Sequence, residues 1–168
     1  NAKIINNANN MVFRGSGLPT DRQFVRVQLY TAAGEIADGA VVAFDQQFKN
    51  QYDANDAVKM ANGGENLSIR HANGKLLSIE ARRLVQRTDT VFLDFSNLRK
   101  QTYQLRFGTQ HIPINTMEIL LIDRYLDQTQ MISIGDSTFV NFTINAETAS
   151  ADPGRFILVF RNKVRNVT

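Results

Sequence analysis

The stretch Asn66–Ala81, "NLSIRHANGKLLSIEA", holds two short apolar runs on either side of an Asn-Gly turn signal, and its register decides how the chain is built. A two-residue turn at Asn73-Gly74 sets Leu67 opposite Glu80 and Ile69 opposite Ser78, apolar against polar. A three-residue loop, Ala72-Asn73-Gly74, instead pairs Ile69 with Leu77 and Leu67 with Ile79. Only the second register gives the hairpin one apolar face, so the three-residue loop is expected. Gly74 then supplies the positive φ that such a loop demands.

The same period of two recurs outward from this hairpin. In "FVRVQLY", Val25, Val27 and Leu29 share one face while Arg26, Gln28 and Tyr30 share the other. In "TYQLRF", Tyr103, Leu105 and Phe107 oppose Gln104 and Arg106, and in "FVNFTI", Val140, Phe142 and Ile144 oppose Asn141 and Thr143. Further apolar runs at Ala40–Phe44, Thr90–Phe95, Met117–Asp123, Met131–Ile134 and Arg155–Phe160 bring the expected total to about ten strands. The pattern predicts an all-β chain, an antiparallel β-sandwich or jelly roll with one short helix. Its core is expected to hold Val25, Val27, Leu29, Leu77, Ile79, Leu105, Phe107, Phe142, Phe156, Leu158 and Phe160. Arg155–Phe160 is apolar on both faces and is therefore expected at the centre of a sheet.

The 168 residues suit one domain. Residues 23–161 are read as the β-sandwich domain, residues 1–22, Asn-rich and ending in "GSGLP", as a linker or N-terminal extension, and residues 162–168 as a C-terminal linker. The whole reads as a module of a longer protein. The chain contains no cysteine, which removes disulfides, thiol catalysis and cysteine metal ligands. No apolar run approaches the roughly 20 residues of a membrane-spanning helix, so no membrane insertion is expected. The net charge of +3 is concentrated in residues 61–110, where eight Lys or Arg face four Asp or Glu. No basic helix or stacking-aromatic motif accompanies that excess, and nucleic acid is not an expected partner.

The loop "FDQQFKNQYDANDAVKM", Phe44–Met60, gathers Asp45, Asp53 and Asp56. Counted from Asp53 as an EF-hand loop, position 5 is Ala57, position 6 is Val58 and position 12 is Gly64, so that motif fails. The expected role is local: Asp53 or Asn55 caps a helix of about two turns that ends at Gly63-Gly64, with Val58 or Met60 pinning it to the sandwich. A looser calcium site of Asp45, Asp53 and Asp56 is the competing reading. No cofactor is expected.

Other chemistry is sparse. His71 and His111 are the only histidines, and a triad or metal pair would need partners that the sequence does not advertise. Glu80 and Asp94 are candidates for a glycosidase pair only if the fold brings them together. "GSG" at Gly15–Gly17 lacks the strand-to-helix setting of a phosphate loop. Tyr30 shares the wet face with Arg26 and Gln28 and is expected to be an ordinary exposed strand tyrosine, a part in a polar binding surface being the competing reading.

Taken in order, "VRVQLYTAAGEIADGAVVAFD", "YDANDAVKM", "ENLSIRHANGKLLSIEARR", "TDTVFLDFSNLRKQTYQLRF", "MEILLIDRYLDQTQMISIGDSTFVNFTI" and "DPGRFILVF" resemble a β-sandwich region of large surface and secreted proteins of Bacteroidota. In those proteins the region commonly precedes a C-terminal signal for type IX secretion. The resemblance, over roughly Phe24 to Phe160, implies a secreted or cell-surface setting, neighbouring domains of a longer parent as partners, and no catalytic residues. The expected function is thus a non-catalytic module, a spacer or an adhesive unit. Its 16 Asn and 11 Gln suit a solvated surface. The alternative is a carbohydrate-binding module attached to an exported glycan-active enzyme, with a glycan as partner.

Overall fold

The hairpin closes with its three-residue loop. In the computed structural model, which describes residues 22–163, Ile69 lies opposite Leu77 and Arg70 opposite Leu76. The His71 amide donates to the Lys75 carbonyl and the Gly74 amide to the His71 carbonyl, each at 2.9 Å, with Gly74 at φ +85°. Of the linkers expected at residues 1–22 and 162–168, residues 1–21 and 164–168 lie outside the described residues; Arg22 bonds to Asp45 and Asn162 ends the last strand.

Among the described residues, eleven strands form one continuous sheet. They are β1 (Gln23–Tyr30), β2 (Ile36–Phe44), β3 (Ala57–Val58), β4 (Asn66–Arg70), β5 (Leu76–Arg82), β6 (Thr90–Ser96), β7 (Thr102–Gln110), β8 (Met117–Asp123), β9 (Gln128–Ile132), β10 (Thr138–Thr143) and β11 (Phe156–Asn162). The order is β10-β7-β1-β2-β5-β4-β6-β11-β8-β9, with β3 along β5. The sheet folds over on itself, so that β10-β7-β1-β2 face β4-β6-β11-β8-β9 as the two leaves of a nearly closed barrel. Aromatic side chains cross between the leaves. Phe44 meets the Phe160 ring at 5.7 Å and Phe142 meets Phe156 at 5.1 Å, both edge-on, the arrangement that ring quadrupoles favour.

β11 sits between β6 and β8, as its two apolar faces require. Phe156, Leu158 and Phe160 fill the core, while Ile157 and Val159 are half-buried on the outer side. Every residue of the expected core is buried except Ile79, which is 41% exposed.

The cause is a β-bulge. The adjacent residues Ala57 and Val58 lie opposite Ile79 and Leu77, so Ser78 is the extra residue and the side chains beyond it change faces. Leu77 shares the side of Ile69, Ile79 turns outward, and Glu80 comes in beside Val42, only 1% exposed. Leu67 therefore never meets Ile79: its partner is Phe95, and the place expected for it on β5 is taken by Val41 of β2. That β2–β5 pairing is parallel, the one departure from an otherwise antiparallel ladder.

The helix expected after Asp53 does not form. Residues Asp53–Asp56 make a tight turn, Ala57–Val58 add the short strand β3, and the one helical segment among the described residues is a 3₁₀ turn at Thr148–Ala151. Asp56, not Asp53, anchors this loop. Its carboxylate accepts from the Asp53 amide and the Ala81 amide, each at 2.8 Å, which ties the turn to β5. Val58 and Met60 pin nothing and lie exposed.

Candidate functional site

The chemistry-bearing side chains singled out from sequence are dispersed and occupied. Asp45 accepts from the Gln47 amide at 2.9 Å and from Arg22 at 3.0 Å, Asp53 accepts from the Asn55 amide at 2.8 Å, and Asp56 holds β5. The Gln47 amide, and after it Arg22, hold the Asp45 carboxyl below its ordinary value against the opposing effect of burial. The three aspartates thus serve three local purposes and do not converge. Among the described residues no group of three His, Asp or Glu gathers in metal-binding proximity.

Glu80 and Asp94 face opposite sides of the sheet. Glu80 points inward, where Oε1 meets His71 Nδ1 at 2.8 Å and Arg82 Nη2 lies 2.8 Å from Oε2 without hydrogen-bond geometry. Asp94 points outward and is clasped by Arg70, Nε to Oδ2 at 2.8 Å. Glu80 and Asp94 therefore do not form the pair that a two-carboxylate hydrolase needs. His111, exposed, sits after β7 against the Arg22 carbonyl at 3.1 Å, while His71 lies in the β4–β5 turn, so the histidines belong to different ends of the ladder.

What the strands do bring together is the outer side of β2-β1-β7-β10. Successive strand residues alternate faces, so the buried Val25, Val27, Leu29, Leu105 and Phe107 leave Arg26, Gln28, Tyr30, Gln104 and Arg106 on one outward surface. Gln28 lies between Gly39 and Arg106, and Arg26 between Val41 and Gly108. The two glycines put bare backbone where side chains would stand. The result is a groove of about 530 Å³ floored by Gly39 and Gly108 and walled by Arg26, Gln28, Arg106 and Gln110. Tyr30, Gln104 and Asn141 line a second hollow further along the same face. Gln104 Nε2 donates to Asn141 Oδ1 at 2.9 Å, which fixes both amides there.

Sequence reading had placed Arg26, Gln28 and Tyr30 on this face. It missed Arg106, Gly39 and Gly108 as their partners, because only the β1–β2 and β1–β7 registers align them. The glycine pair was the available signal: two strand-interior glycines, each a poor strand former, mark a close approach or an empty surface. No family model, curated protein or solved structure matches the chain.

Proposed function

We propose that this chain is a non-catalytic binding module of an exported bacterial surface or secreted protein, with the outer face of β2-β1-β7-β10 as its contact surface. The observation that carries this reading is the distribution of polar groups. Buried Glu80, Asp94 and Asp123 each have a fixed histidine or arginine partner, whereas Arg26 and Arg106, which pair with no carboxylate among the described residues, share one sheet face with several amides and a groove through it.

The exported setting rests on the resemblance to Bacteroidota surface proteins. A place among neighbouring domains is supported by the opposite leaf, whose outer side exposes Phe92 and Met131 beside half-buried Ile157 and Ile122. Of the roles open to such a module, the groove favours carbohydrate binding over a purely passive spacer. Gln28 and Gln110 on its walls carry amides, side chains suited to sugar hydroxyls.

Incubating the domain with a panel of soluble polysaccharides, followed by affinity electrophoresis and a reducing-end assay, tests the reading. Retardation without release of reducing ends is expected. Release of reducing ends that disappears in Glu80→Gln or Asp94→Asn would overturn it.

A further inference from the structure

Arg26 and Arg106 are diagonal neighbours on the outward face, since Arg26 lies opposite Gly108 and Gln28 opposite Arg106. Of the five described arginines that lie within strands, Arg70, Arg82 and Arg161 each pair with a carboxylate, while Arg26 and Arg106 have no ion-pair partner among the described residues. The four strands of this leaf contain one acidic residue, Asp38. It is turned away from the face, taken up by Lys59 and by the Leu67 amide at 2.6 Å. The leaf therefore holds two adjacent positive charges over a bare glycine floor with no internal counter-charge. Like charges at neighbouring positions repel, and an anion between them relieves that repulsion.

Both guanidinium groups are already positioned. Arg26 lies over the Phe24 ring at 5.0 Å and Arg106 over the Phe139 ring at 5.8 Å, and Arg106 is further tethered to Ser137 Oγ through Nε at 3.3 Å and Nη2 at 3.2 Å. Planar guanidinium forks held this way match a carboxylate, and holding them in place beforehand reduces the ordering that binding requires.

We propose that the groove and the hollow further along the same face bind an acidic polysaccharide, a chain bearing uronate carboxylates, with Arg26 and Arg106 on the carboxylates and Gln28 in the groove and Gln104 and Asn141 in the hollow on the hydroxyls. The proposal rests on the binding-module reading above and specifies its ligand. Amides beside the arginines, Gln28 and Gln110 in the groove and Gln104 and Asn141 in the hollow, favour a sugar chain over a nucleic acid, which would call for cations following a phosphate backbone and flat aromatic platforms for bases. On this face the aromatic rings nearest the arginines, Phe24 and Phe139, are covered by the guanidinium groups.

Two variants separate charge from shape. Arg26→Gln with Arg106→Gln removes the charges. Gly108→Leu fills the floor and leaves both arginines, and it meets no atom within 4 Å at its Cβ and no positive φ. Titration calorimetry and affinity electrophoresis with polygalacturonate, dextran and an oligo-dT strand, on the wild type and both variants, form the test. Polygalacturonate is expected to bind the wild type at least tenfold more weakly as salt rises from 50 to 500 mM, a range that screens these charges because the Debye length is only about 10 Å at 0.1 M. Each variant is expected to lose binding about tenfold or more with its melting temperature kept. Retention of dextran but not polygalacturonate would overturn the acidic ligand and leave the binding module standing. Tighter binding of oligo-dT than of polygalacturonate would overturn the sugar assignment. Retention of no polymer by the wild type would sink both.

Discussion

Asp123 and Arg155 meet in a buried fork, Arg155 Nε to Asp123 Oδ1 at 2.9 Å and Nη2 to Oδ2 at 2.6 Å. The remaining guanidinium nitrogen donates to the carbonyls of Thr143 and Ser150, at 3.1 and 3.0 Å, and the rings of Tyr125, Phe156 and Phe142 pack around it. Arg155 thus joins β10, at one end of the strand order, to β8, near the other end, and to the turn before β11, across the seam between the two ends of the sheet. Breaking a buried pair by removing one partner strands a charge. Arg155→Leu is expected to cost about 3–5 kcal/mol in urea unfolding, and Arg155→Lys to recover less than half of it, because an ammonium cannot reproduce the fork. A loss under about 1 kcal/mol for Arg155→Leu would show that the seam closes without it.

The aromatic contact between the leaves has its own test. Phe160 is fully buried edge-on to Phe44, and Phe156 likewise to Phe142 and Phe95. Phe156→Ala and Phe160→Ala are each expected to lose about 3–5 kcal/mol, lost transfer energy plus a cavity. Ile79→Ala, on the face that the bulge turned outward, is expected to lose under about 1 kcal/mol. Equal losses at Ile79 and Phe160 would contradict the bulge at Ser78.

The loop of three aspartates divides its labour unequally. Asp53 and Asp56 are both half-buried, but Asp56 satisfies two amides, one of them on β5, whereas Asp53 satisfies only its own turn through the amide and side chain of Asn55. Removing the half-buried Asp56 acceptor leaves both of its donors without a protein partner. Asp56→Ala is expected to cost about 1–3 kcal/mol and Asp53→Ala about 0.5 kcal/mol or less, with neither melting temperature moved by millimolar calcium. A calcium-dependent rise that vanishes in Asp53→Ala would establish the cation site instead.

The strands were legible because their signal is local. Val25, Val27 and Leu29 alternate with Arg26 and Gln28 whatever they pair with, and Gly74 marks its loop from within five residues. What escaped depends on distant partners. Ser78 bulges because β3 and β2 both reach Ile79 from elsewhere in the chain, and no residue of Leu76–Arg82 announces it. The "DANDAVKMA" stretch has the composition of a short helix. Two turns of helix are marginal alone, and the open edge of β5 offered its amides and carbonyls a better set of partners: the Lys59 amide donates to the Leu76 carbonyl at 2.9 Å. The groove was half legible for the same reason. Period two places Arg26, Gln28 and Tyr30 on one face, but bringing Gly39, Arg106 and Gly108 alongside them takes the registers of two neighbouring strands.

Asp45 supplies a pH test at the start of this loop. Its carboxylate accepts the Gln47 amide and Arg22 Nε, and these hold its pKa in the folded chain below the ordinary 3.8, the burial of the group working the other way. A carboxyl with a lowered folded pKa contributes stability that is present in full above the unfolded value. That contribution is lost as pH falls through about 3.8 toward the folded value. In Asp45→Asn the amide oxygen still accepts from Gln47, but its NH₂ faces the Arg22 donor, and the charge is gone. The variant is therefore expected to melt below the wild type at pH 7 and to keep that gap down to about pH 5. The gap should then narrow between about pH 4 and pH 2 as the wild-type carboxyl takes up its proton. Parallel thermal melts across that range measure it, and a gap that stays constant or widens toward acid would mean that Asp45 does not contribute as a carboxylate.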